Sequence, residues 1–138
     1  LLTAQRRHEP VSLAFVDLDR FKHINDTWGH EEGDRALIAI ADLMKAAFRE
    51  SDILARQGGD EFIILFANTS RHDAAAAMET LSHNVARFNQ QAAHPWQLAF
   101  SWGCVEYDPA HHPSLNALVA TADRLMYQAK QKQGRERR

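Results

Sequence analysis

Acidic residues stand at two points where the chain must turn. Asp17 and Asp19 close the apolar run Leu13-Ala14-Phe15-Val16, and Asp60 follows the glycine pair Gly58-Gly59 with Glu61 beside it. A short continuous apolar run reads as a buried strand, so its acidic end lies at the rim of a sheet. If the strand after the glycine turn runs antiparallel to the first, Asp17 and Asp60 meet. Two carboxylates so placed repel each other unless a cation joins them. A hard, oxygen-seeking ion, Mg²⁺ or Mn²⁺ in its place, relieves the repulsion, keeps several waters and takes its remaining ligands from substrate phosphates. Taken alone, Asp17 and Asp19 read equally well as a strand ending in solvent.

The elements that must hold these residues follow from the hydrophobic period. From Asp34 onward Leu37, Ile40, Met44 and Phe48 recur at helical spacing, with Ala36, Leu43 and Ala47 widening the stripe. Ile53 to Arg56 and Phe62 to Ala67 are short strands joined by Gln57-Gly58-Gly59-Asp60-Glu61, a hairpin signal. Asp73 to about Gln90 is a second helix with Met78, Leu81, Val85 and Phe88 on one face, capped by Thr69 or Ser70. Leu98, Phe100, Trp102 and Cys104 alternate in a fourth strand, and Ser114 caps a last helix carrying Leu115, Leu118, Ala122, Leu125 and Ala129. The order βαββαβα predicts an α+β, ferredoxin-like fold with a mostly antiparallel sheet flanked by helices.

Composition narrows the function classes. A chain of 138 residues, 45% hydrophobic, builds one core as a single domain. Its formal charge of −2 gives no basic footprint for nucleic acid, which is not expected as a partner. Cys104 is the sole cysteine, so no internal disulfide forms and a reducing, cytoplasmic setting is expected. No apolar run reaches the roughly 18 residues that span a bilayer, so any membrane anchor would lie outside this chain. The histidines lack zinc-ligand spacing, His111-His112 beside Pro113 reads as a loop, and Trp28, Trp96 and Trp102 read as packing residues.

Gly58-Gly59-Asp60-Glu61-Phe62 is the signature that names the GGDEF family of diguanylate cyclases, and the sequence resembles that family over nearly its whole length. Asp17-Leu18-Asp19-Arg20-Phe21-Lys22, Ile24-Asn25-Asp26, Gly29-His30, Gly33-Asp34, Ala55-Arg56 and Ala122-Asp123 with Tyr127, Ala129 and Lys130 all look like family motifs, in family order. The resemblance implies a nucleotide-cyclase palm that binds one GTP per domain. Two domains must then face each other as a homodimer to form cyclic di-GMP and two pyrophosphates.

The resemblance also implies roles. Asp17 and Asp60 would hold the metal with the Leu18 carbonyl, and Asp60 and Glu61 would be catalytic, Glu61 lying near the attacking 3′-hydroxyl. Gly58 and Gly59 would let phosphate approach bare backbone, as well as serving the turn. Arg20-Phe21-Lys22 would hold the β- and γ-phosphates, where each charged side chain otherwise passes as solvated surface. Guanine would be read by Asn25 and Asp34, which alone look like a turn residue and a helix cap, with Leu37 flanking the base or serving the core. Arg49-Glu50-Ser51-Asp52 matches an R-x-x-D inhibitory product site at Arg49 and Asp52; the plain alternative is an arginine paired at a helix end.

Two departures stand out. The stretch with which the family begins is absent, so the chain is expected to start part-way through a first helix and to be a fragment preceded by a sensor or dimerising region. Near the end, Ala129-Lys130-Gln131-Lys132-Gln133-Gly134-Arg135-Glu136 carries one residue more than the family pattern, so Lys130 and Arg135 match its triphosphate contacts only loosely. The basic end, residues 134–138, reads as tail. A domain that binds GTP or cyclic di-GMP without turnover is the alternative to an active enzyme; the acidic residues present favour the enzyme.

Overall fold

The computed structural model describes residues 9–91 and 94–136, with side chains as far as Gln133. Strand β1 (Ser12–Leu18) is followed by helices α1 (Phe21–Trp28) and α2 (His30–Ala47). Strands β2 (Ile53–Arg56) and β3 (Glu61–Phe66), helix α3 (Arg71–Gln91), strand β4 (Phe100–Glu106) and helix α4 (Leu115–Glu136) complete the chain. The sheet order is β2-β3-β1-β4, and each neighbouring pair is antiparallel. This is the expected α+β architecture.

The uninterrupted apolar run of β1 has a direct cause: the central strand is covered on both faces. Ala14, Val16 and Leu18 enter the larger core with Ile40 and Met44 of α2, Phe62, Ile64 and Phe66 of β3, and Met78 and Leu81 of α3. Leu13 and Phe15 point the other way, onto Leu118, Ala122 and Met126 of α4. Burying such a side chain is worth about 1.5–3 kcal/mol, so the central strand is the best-anchored element of the sheet. Cys104 lies in the larger core, and burial pushes its thiol pKa up to about 11, which keeps it protonated.

Helix α4 lies directly on β4. A Cβ on Gly103 would fall 2.3 Å from the Met126 nitrogen and 2.4 Å from the Ala122 carbonyl oxygen, so only glycine permits the approach. Leu98, expected in β4, precedes the strand. Its backbone is instead paired with the Asn89 side-chain amide, which both donates to the Leu98 carbonyl and accepts from its N–H at 2.8 Å.

The structure corrects the sequence reading in four places. An extra helix, α1, makes the order βααββαβα; its Phe21, Ile24 and Trp28 fall on one face, a stripe interrupted by polar residues. Asn25 is therefore helical rather than in a turn. Helix α2 starts at His30, so Asp34 lies inside it and does not cap it. In α4, Met126 fills the core position expected for Leu125, Leu115 is half exposed, and the helix runs through Gly134 to Glu136 where a tail was expected. The proposed start within a first helix falls outside the described residues.

Two helix caps are as read: Ser70 Oγ accepts from the Asp73 N–H and Ser114 Oγ from the Ala117 N–H, each at 3.1 Å. No described helix is long and apolar enough to cross a membrane.

Candidate active site

Antiparallel pairing of β1 and β3 sets Asp17 opposite Glu61, and the Leu18 N–H donates to the Asp60 carbonyl at 3.0 Å. The strand end and the hairpin thus converge. Asp17 Oδ2 accepts from Lys130 Nζ at 2.9 Å, while Asp17 Oδ1 is buried without a hydrogen-bond partner. The same ammonium is 3.7 Å from Asp19 Oδ1.

This crowding shows in the proton affinities. Burial, then the charge of the adjacent Asp17, raise the Asp60 pKa above the ordinary carboxylate value, against the opposing effects of a backbone hydrogen bond and of Lys130. Glu61 is raised by burial and then by Asp17, Asp60 and Asp123. Burial alone would lower the Lys130 pKa, but the hydrogen bond and charge of Asp17, with Asp19 and Asp60, reverse it and hold the ammonium above its usual value. Among the described residues, Lys130 is the cation set against these carboxylates.

An orphaned, buried carboxylate oxygen in a site of excess negative charge suits a hard divalent cation. Among the described residues no group of three or more His, Cys, Asp or Glu is placed to cage a metal. A cation held by carboxylates alone here would complete its shell with backbone carbonyl, water or phosphate.

The glycine turn is held from its own strand. The Arg56 guanidinium donates to the Gly58 carbonyl at 3.0 Å and to the Gly59 carbonyl at 3.1 and 2.6 Å. A Cβ on Gly59 would meet only open space, so the outer surface of the turn is bare backbone, accessible to a phosphate. The family motif contained Arg56, but its role in clamping the turn was not anticipated.

The remaining residues singled out in the sequence fall in four regions. Arg20 adopts a left-handed conformation (φ 59°) at the start of α1, Phe21 packs on the larger core, and Lys22 is exposed. Asn25 of α1 presses on Gly33 of α2: a Cβ at Gly33 would fall 1.8 Å from Asn25 Oδ1. This brings Asn25 against the residue preceding Asp34, which is exposed, whereas Leu37 is buried in the core. Arg49 lies away from these groups. Its guanidinium donates to Asp52 Oδ1 at 3.2 Å and to the Ala67 carbonyl and Thr69 Oγ1 at 2.7 Å each. Arg135 sits on the last turn of α4, its side chain outside the described part.

Comparison with known proteins agrees with this fold. The chain matches the family described as Diguanylate cyclase, GGDEF domain, over residues 1–137. It is 35% identical over 134 residues to diguanylate cyclase DosC of Escherichia coli K12, covering 97% of this chain and 29% of that protein. It is 38% identical over 132 residues to the bifunctional diguanylate cyclase/cyclic di-GMP phosphodiesterase MucR of Pseudomonas aeruginosa, covering 96% of this chain and 19% of that protein. The chain therefore spans less than a third of these relatives. Among solved structures, the active GGEEF domain of a Vibrio cholerae diguanylate cyclase superposes with a TM-score of 0.84 at 28% identity, over 95% of this chain and 83% of that one. The GGDEF domain of DgcB from Caulobacter crescentus, in complex with c-di-GMP, gives 0.86 at 26% identity, over 95% and 78%.

The fold, over the described residues a four-stranded antiparallel sheet with four helices, is that of solved GGDEF domains. More narrowly, the chain belongs to the GGDEF family of diguanylate cyclase domains.

Proposed function

We propose that this domain is a working diguanylate cyclase, condensing two GTP molecules into cyclic di-GMP across a pair of domains. The unpartnered Asp17 Oδ1, buried at the strand end where the acidic hairpin converges, carries this reading: it is an open ligand position for a cation at the point where Asp60 and Glu61 are also brought. Asp17 and Asp60, with the Leu18 carbonyl, would hold Mg²⁺ or Mn²⁺. When bound, the cation supplies a lowered pKa for the 3′-hydroxyl and neutralises charge on the phosphoryl oxygens.

The chain's own residues do the rest. Glu61, with its raised pKa, lies near the attacking hydroxyl and can accept the proton as the 3′-oxygen bonds to the α-phosphorus of the facing GTP and the bond to pyrophosphate breaks. Arg20, Lys22 and the free N–H groups of the first turn of α1 hold the β- and γ-phosphates, and the bare Gly58-Gly59 backbone lets them approach. Lys130, already at the carboxylates, and Arg135 add positive charge toward the triphosphate. Asn25 and Asp34 read the guanine edge, with Leu37 supporting Asp34 from the core. A reducing cytoplasm, where GTP is available, is the setting we assign; any membrane attachment would come from regions outside this chain.

The test is direct. GTP and Mg²⁺ are added and products are separated by chromatography; pyrophosphate and cyclic di-GMP are expected, and their absence under dimerising conditions would leave only the binding role. Each domain holds half of the substrate pair, so specific activity is expected to rise with protein concentration. Fusion to a parallel coiled coil should raise it further, by the effective concentration of the second domain. Rates indifferent to both would exclude a two-domain site.

Arg49 and Asp52 form the site we assign to product inhibition. Arg49 already binds Asp52, Ala67 and Thr69, so a product phosphate or guanine must draw it from these partners. Arg49→Ala is expected to weaken cyclic di-GMP binding by about tenfold or more, as loss of a charge-assisted hydrogen bond of about 1.5–3 kcal/mol requires. Calorimetry measures this; unchanged affinity would place the product site elsewhere.

A further inference from the structure

The proposed chemistry leaves one buried acid without a task. Asp19 is buried, its side chain only 6% exposed, and a carboxylate so placed needs partners. Its Oδ1 accepts the Ser101 hydroxyl at 2.7 Å, and its backbone N–H donates to the Ala99 carbonyl at 2.8 Å. Gln133 lies 3.2 Å from the same hydroxyl. That hydroxyl has one hydrogen and gives it to the closer acceptor, so the Gln133 amide, rotated by half a turn, is the donor in this second contact. Gln133 follows Lys130 by three residues on α4, on the same side of the helix. Asp19 is thereby fixed to Ser101 of β4, and through that hydroxyl linked to α4, next to the lysine.

The lysine itself has two possible partners. Its ammonium is 2.9 Å from Asp17 Oδ2 and 3.7 Å from Asp19 Oδ1, and it is a point charge on a flexible stem. A cation on Asp17 would compete for that carboxylate and repel the ammonium. We propose that Asp19 is a positioning residue, a fixed second anchor that receives Lys130 when Asp17 takes up a cation and keeps the ammonium at the site to meet the triphosphate. This rests on the reading of Asp17 as a metal ligand. Without the Asp19 charge, the carboxylates left beside Lys130 belong to the cation site itself, Asp17 nearest, and the ammonium obstructs the cation instead of yielding to it.

A double-mutant cycle separates this exchange from a plain change of local charge. Mn²⁺ binding to the 138-residue chain without nucleotide is followed by loss of the free-ion electron paramagnetic resonance signal. Asp19→Asn is expected to weaken Mn²⁺ binding about fivefold, whereas Lys130→Met tightens it. In the Lys130→Met background, Asp19→Asn should change the affinity less than about twofold, because the competitor is gone. An equal loss in both backgrounds, or no loss in either, overturns the proposal. Should Asp19→Asn fail to fold, Ser101→Ala, which frees the carboxylate without discharging it, is expected to give a smaller loss that Lys130→Met again abolishes. Asp17→Asn identifies the source of a failure. If it binds Mn²⁺ as well as the parent, the metal-ligand reading falls and the proposal with it; if it does not, an additive cycle rejects the role of Asp19 alone.

Discussion

Asp60→Asn is expected to lower cyclic di-GMP formation by about 10³-fold or more, since it removes a ligand to a charge worth several kcal/mol in the transition state. The fold should survive, because the change falls on the turn rim and touches no core residue. Its effect on stability follows from the raised pKa. An acid that keeps its proton longer in the native state makes that state less stable as pH rises from the ordinary value of 3.8 through the raised one. Asparagine does not ionise, so the variant's melting temperature should gain on the parent's across that window and be no lower at pH 7. Melting curves without metal at pH 4 and pH 7, run beside the product assay, check both effects. Normal turnover would reject Asp60 as a metal ligand; a widening stability deficit would reject the crowding of carboxylates.

Asp34→Ser is expected to relax the choice of base. A carboxylate can accept both N1–H and N2–H₂ of guanine, whereas the N1 lone pair of adenine repels it. A good bidentate contact is worth about 1–3 kcal/mol, so GTP should lose roughly 5- to 150-fold in kcat/KM while ATP becomes a competing substrate. The helix provides no competing explanation: α2 begins at His30 and Asp34 is exposed within it, so serine removes no cap. Competition between GTP and ATP in one reaction, with mixed and homogeneous products resolved, measures the effect. An unaltered GTP-only profile would reject base reading by Asp34.

Much of the fold was legible because burial left a period. β1 is apolar without a break because it is covered twice, and Ile40, Met44, Met78 and Leu81 keep helical spacing because each helix buries one face. Helix α1 was obscured by Lys22, His23, Asn25, Asp26 and Thr27, polar residues that favour turns when read singly; Ile24 alone is fully buried there. In the site, the convergence of the first strand end with the acidic hairpin followed from strand direction. The contact of Lys130 with Asp17 did not, since the pairing spans 113 positions and depends on how α4 lies across the sheet. The Arg56 clamp and the Ser101 bond to Asp19 were equally hidden, for arginine and serine have many ordinary uses and only the coordinates bring them to these acceptors.

The missing side chain at Gly103 has a consequence for how this domain responds to force. Helix α4 rests there on strand backbone, and backbone atoms have no rotamers through which to give way. Lys130 lies one turn beyond Met126 on the same helix, so its distance from Asp17 is gauged by a rigid seat on the same face of the sheet. Against β1 the helix instead presents side chains, and Leu118 and Met126 can change rotamer there. Gly103 is therefore a fulcrum for the helix: a tilt of α4 about it would change the reach of the Lys130 ammonium to Asp17.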